Sequence, residues 1–109
     1  METITITKQV DPTKPLPDHA LLLTAISHPA RWRMLRALCT GEGMTVSELA
    51  EVAGCSVDMS SKNLKTLKAA GLVVRKRNRL YTLTPGYQPV PGEPLLDYGH
   101  YILRLDAAG

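Results

Sequence analysis

The stretch TVSELAEVAGCSVDMSSKNLKTLKAAG, residues 45–71, constrains the chain more than any other. It holds two helix starts and two helix stops. Thr45, with Glu48 three residues on, makes a capping box in which each side chain satisfies the other residue's backbone N–H. Ser56 offers a second N-cap. Gly54 ends the first helix, and Gly71 suits the left-handed position after the second, with Leu72 able to add the apolar contact that accompanies such a stop. Between these limits the apolar residues fall at helical spacing. Val46, Leu49, Ala50 and Ala53 form one face, and Ser60, Leu64 and Leu67 lie within about 60° of arc on the other helix. Lys62, Lys65 and Lys68 form a separate stripe. Two short helices therefore meet at a tight turn.

The flanks add to this pair. HALLLTAIS, residues 19–27, reads as a low-charge helix capped by Asp18. His28-Pro29 breaks it and opens another over ARWRMLRALC, since proline suits a first helical turn, where its missing N–H costs nothing. After the second helix of the pair, LVVRKRNRLYTL gives two β-rich runs, 72–76 and 79–83, with Arg77-Asn78 at the tip of a hairpin. EPLLDYGHYILRL reads as a short final helix. At the other end Thr3 to Thr7 alternate as a short strand or arm, and DPTKPLPD, with three prolines, reads as a linker. The expected organisation is an arm and linker over 1–18 and one domain over 19–109. Its fold class is mainly α with a small β-hairpin (α+β): five helices plus the hairpin.

Charge is distributed unevenly. From Met59 to Gly92 there is no acidic residue, yet Lys62, Lys65, Lys68, Arg75, Lys76, Arg77 and Arg79 all fall there. Residues 1–58 carry five basic and seven acidic side chains, and residues 93–109 carry Arg104 against Glu93, Asp97 and Asp106. A basic block between two mildly acidic ones points to a polyanion facing one side of the fold. A solvated lysine face is the usual reading of such a stripe alone. The basic hairpin beside it and the missing acids favour nucleic acid.

Other classes find little support. No apolar run approaches the roughly 18 residues of a membrane span, and the start, METITITKQV, lacks the pattern of a secretory signal, so a cytoplasmic location is expected. Cys39 and Cys55 are too few for a disulfide scaffold and read as small core residues. His19, His28 and His100 are scattered, and Asp97 with His100 makes a poor metal pair. No phosphate loop or nucleophile–base constellation is present, so neither an enzyme nor a cofactor is expected.

A short helix, a tight turn, a cationic helix and a basic hairpin are the parts of a winged helix-turn-helix. ISHPARWRMLRAL, TVSELAEVAGCS, SSKNLKTLKAAGLV and a hairpin ending RLYTL together resemble the ArsR/SmtB family of bacterial transcriptional regulators, over about residues 19–83. The resemblance implies a repressor that binds double-stranded DNA as a homodimer built around the first and last helices. Leu22, Leu95, Leu96, Ile102 and Leu103 would form that seam. It also implies that residues 56–70 enter the major groove while the 75–79 hairpin follows the backbone. Ser56, Val57, Asp58, Ser61, Lys62, Asn63 and Lys65 are then the candidates to meet DNA from the helix, and Arg75, Lys76, Arg77 and Arg79 from the hairpin. Lysine and arginine there neutralise phosphates and release counterions.

The chain departs from the family where many members hold metal. Thr45 and Ser47 stand in place of a Cys-x-Cys pair and are poor ligands for soft metals, so no metal site is expected. Asn63 occupies a position often held by histidine, and Ser60 an apolar one. The alternative function is a winged-helix module that docks protein or RNA without reading bases. That class would more often show mixed charge or apolar residues on the helix-and-hairpin face.

Overall fold

A computed structural model of the chain describes residues 5–8, 19–97 and 101–105. Four helices come in close succession: α1 (His19–Ile26), α2 (Pro29–Leu38), α3 (Val46–Ala53) and α4 (Val57–Ala69). Before them lies β1 (Thr5–Lys8). After them come β2 (Val73–Arg75), β3 (Tyr81–Leu83), β4 (Leu95–Asp97) and β5 (Tyr101–Arg104). The expected strand or arm at the start is thus a strand. The proline-rich linker, residues 11–18, lies outside the described residues.

The local signals act as their chemistry dictates. His28 caps α2 by accepting the Ala30 N–H on Nδ1 at 3.1 Å. The capping box on α3 is complete: Glu48 N–H donates to Thr45 Oγ1 at 3.2 Å and Thr45 N–H to Glu48 Oε1 at 2.9 Å. The Thr45 backbone N–H, and after it the Thr45 hydroxyl, hold the Glu48 carboxyl below its usual range, because hydrogen bonds donated to a carboxylate favour its charged form. Ser56 Oγ accepts from Met59 N–H at 3.1 Å. α4 closes through Gly71 at φ 78°, with the Leu72 N–H on the Leu67 carbonyl at 3.0 Å and the Gly71 N–H on the Lys68 carbonyl at 3.0 Å. This is a Schellman stop, and Leu72 is buried beside Leu67.

Packing gathers Trp32, Met34, Leu35 and Leu38 of α2, Leu49 and Ala53 of α3, and Leu64 and Leu67 of α4 into one apolar core. β2 and β3 form an antiparallel two-stranded wing in which Val73 faces Leu83 and Arg75 faces Tyr81. The wing is rooted by paired bonds between Met44 and Tyr81, at 3.1 and 2.8 Å. Gly43 permits that approach, since a Cβ there would meet Leu80 Cβ at 2.8 Å.

The last segment differs from its expectation. It is a hairpin, not a fifth helix. β5 lies between β4 and β1 in an antiparallel three-stranded sheet, with Leu103 opposite both Leu96 and Ile6. Pro94 and Gly99 disfavour a helix through this stretch, and Tyr101-Ile102 favours a strand. The apolar residues proposed for a dimer seam are mostly spent inside the protomer. Leu22, Leu96 and Leu103 are fully buried in the common core with Leu105, while Leu95 and Ile102 are half-buried. Burial of Leu96 and Leu103 makes the terminal sheet part of the core and not an appendage. Leu103→Ala is therefore expected to cost about 2–5 kcal/mol, read as a lowered urea midpoint at unchanged slope.

Candidate nucleic-acid interface

The site is assembled from α3, α4 and the wing. α3 and α4 meet at a turn closed by the Cys55 N–H on the Ala50 carbonyl at 3.0 Å, with Gly54 at φ 70°. α4 buries Ser60, Asn63, Leu64 and Leu67 on one side. Helical geometry then leaves Val57, Asp58, Ser61, Lys62, Lys65 and Lys68 outward, and all six are exposed, as is Ser56 at the cap. Asp58 stands in the first turn, where the positive end of the helix dipole favours a carboxylate.

Asn63 departs from its expectation. It is 3% exposed and turned inward, where its Oδ1 accepts from Arg31 Nη1 at 3.2 Å. It therefore cannot meet a base edge from this position. Ser60, fully buried, donates from Oγ to the Val46 carbonyl at 2.9 Å. That bond explains how a serine serves at an apolar position.

The wing tip is a tight turn. Lys76 N–H donates to the Leu80 carbonyl at 2.7 Å and Arg79 N–H to the Lys76 carbonyl at 3.1 Å, with Arg77 and Asn78 central. The ladder is shorter than the 72–76 and 79–83 runs because Arg79 adopts φ 65°, the left-handed conformation that follows a type I turn in three-residue hairpin loops. Glycine is the usual occupant of such a position. Arg75, Lys76, Arg77 and Arg79 are all exposed. The seven cations of the acid-free span thus all stand at the surface, on two neighbouring elements.

Between these elements lies an open cavity of about 530 Å³, lined by Thr45, Val46, Ser47, Ser61, Arg75, Arg79 and Tyr81. Hydroxyl and guanidinium groups share its wall with apolar surface from residues such as Val46, and no carboxylate is among the lining residues. Sequence reasoning placed Thr45 at a helix cap but did not bring Thr45, Ser47 or Tyr81 to this face. Their proximity depends on the Met44–Tyr81 pairing, which local patterns do not reveal.

Burial pushes the Cys39 thiol up to about 11 against the opposing charge of Arg36, and its Sγ is engaged with the Leu35 carbonyl at 3.3 Å. Among the described residues no three His, Cys, Asp or Glu side chains come together to hold a metal ion. None of the described helices is long and apolar enough to cross a membrane.

A helix-turn-helix domain model matches residues 26–76. Among solved structures, the chain is 33% identical to a predicted DNA-binding transcriptional regulator from E. coli, over 62% of this chain and 74% of that one, with a TM-score of 0.51. It is 30% identical to the cadmium metal-sensor CMTR from Mycobacterium tuberculosis, over 62% of this chain and 72% of that one, again with a TM-score of 0.51. No curated protein sequence matches the chain at a comparable level. The turn between α3 and α4, the cationic α4 and the basic wing agree with these matches, and the chain belongs to the ArsR/SmtB-type winged helix-turn-helix transcriptional regulators.

Proposed function

We propose that the protein is a sequence-specific repressor that binds operator DNA as a homodimer and acts by occluding a promoter. The observation that carries this reading is the exposed cationic face of α4 and the wing, with no acid from Met59 to Gly92 to compensate it. A helix of this width fits the major groove, and its N-terminal residues meet base edges. Val57, Asp58, Ser61 and Lys62 are then the base readers, while Ser56, Lys65 and the wing arginines engage phosphates. A dimer places two such helices about one turn of DNA apart, which calls for a palindromic site. With Leu22, Leu96 and Leu103 inside the protomer, the seam draws on exposed Leu23 of α1 and half-buried Leu95 and Ile102 of the terminal sheet.

The direct test is recovery of bound DNA from a random pool at fixed salt. Enrichment of a palindrome supports the reading, and a pool that stays random at every salt concentration overturns it. A steep fall of affinity with salt is expected alongside.

Two substitutions sharpen the assignment. Arg79→Gly relieves the left-handed strain and removes one cation. Stability should stay level or rise by up to about 1 kcal/mol. DNA affinity should fall alike for all sequences, and the salt slope should drop by about one unit. Melting temperature and binding measured at several salt concentrations check both halves. Asp58→Asn removes a carboxylate that steadies the helix start by about 0.3–1 kcal/mol but also repels phosphates and accepts from cytosine N4. Affinity for random DNA should rise, and preference at one base pair per half-site should relax. An unchanged selected motif with a clear drop in melting temperature would assign Asp58 to the helix cap alone.

A further inference from the structure

We infer that Arg31, which lies on α2 and lines neither the cationic face nor its cavity, is a positioning residue for base readout by α4. This rests on the DNA-binding reading above. The Arg31 guanidinium is held from three sides. Nε donates to the Ala25 carbonyl at 2.9 Å and Nη2 to the Thr24 carbonyl at 3.0 Å, both in the last turn of α1, where the Thr24 carbonyl also accepts from Ser27 Oγ at 2.8 Å. Nη1 donates to Asn63 Oδ1 at 3.2 Å, across to the middle of α4. The planar fork fixes the direction of all three bonds together.

Asn63 is poorly explained by stability. Its Nδ2 is buried with no hydrogen-bond partner, a cost that an apolar residue of similar volume would not carry. What the amide does supply is a direction. Leu64 and Leu67 hold α4 against the core through contacts that tolerate small rotations. Two inward polar ties do not: Ser60 Oγ to the Val46 carbonyl of α3, and Asn63 to Arg31. Ser60 and Asn63 are three residues apart and share a face. Between them in sequence stand Ser61 and Lys62, both exposed on the opposite side. One tie refers the helix to α3 and the other to the end of α1. A roll of about 15° would move an atom about 6 Å from the helix axis by roughly 1.5 Å, enough to leave the distance window of a hydrogen bond.

The readout is the ratio of affinity for the selected operator to affinity for random DNA, with melting temperature measured beside it. Loss of folded protein lowers both affinities alike and leaves the ratio unchanged, whereas a changed roll lowers the ratio. Asn63→Leu removes the unpaired Nδ2 but leaves Arg31 Nη1 without its acceptor, so it should melt close to the wild-type temperature yet lose about tenfold in the ratio. Arg31→Met should lose the same factor, and the pair of changes together should lose no more than either alone. Asn63→Asp keeps an acceptor for Arg31 and should retain the wild-type ratio, whatever its charge does to both affinities. A ratio unchanged in Asn63→Leu overturns the inference, as does one that falls equally in Asn63→Asp or adds in the double variant. Should Arg31→Met fail to fold, the comparison of Asn63→Leu with Asn63→Asp decides. A wild-type protein with no operator preference would instead overturn the DNA reading itself.

Discussion

Burial of Leu64 and Leu67 commits the rest of α4. Once those side chains join Trp32, Leu35 and Leu49 in the core, the helical repeat decides which face carries Ser61, Lys62, Lys65 and Lys68, and only the fine roll of that face is left to the polar ties. The same anchorage sets the wing. The Schellman stop at Gly71 delivers Leu72 and Val73 into the core, and the strand that follows carries Arg75 to the surface beside the helix. The surface charge pattern is thus a by-product of apolar burial together with two glycine-closed helix ends.

Much of this was legible because the signals are local. A threonine with a glutamate three residues on, a serine before a helical repeat and glycines at the ends of two such repeats each act within a single turn. They give α3, α4 and the turn between them with little ambiguity. The wing was equally plain from its β-rich runs, though the turn took one residue more than expected because Arg79 accepts the left-handed conformation. The basic face could be read from charge alone, since no acid intervenes over the whole span.

What stayed hidden depends on partners distant in sequence. The segment from Pro94 to Leu105 has apolar residues enough for either a helix or a hairpin, and pairing with the distant β1 adds to the local effects of Pro94 and Gly99 in settling it as sheet. Asn63 lies one position from an exposed lysine and looks from sequence like a surface residue. Its burial follows from Arg31, 32 positions away, which offers it a donor. The cavity between α3 and the wing arises likewise from the bridge between Met44 and Tyr81. Helix-turn-helix geometry was therefore open to inspection, and the contacts that set its exact roll and rim were not.

The terminal sheet has a consequence for the order of assembly. Among the described residues β1 pairs with β5 alone, so Thr5–Lys8 leave the ribosome well before Tyr101–Arg104, the strand they pair with. The four helices and the wing make their contacts at shorter sequence separations than this pairing does, and can form meanwhile. Closing the span from β1 to β5 comes later, with a loop entropy that grows only logarithmically with that span. Nascent chains stalled before β5 would carry Leu22 and its core neighbours without the cover of Leu103 and Leu105. That is the interval in which a chaperone or a second nascent chain meets apolar surface that the finished protein conceals.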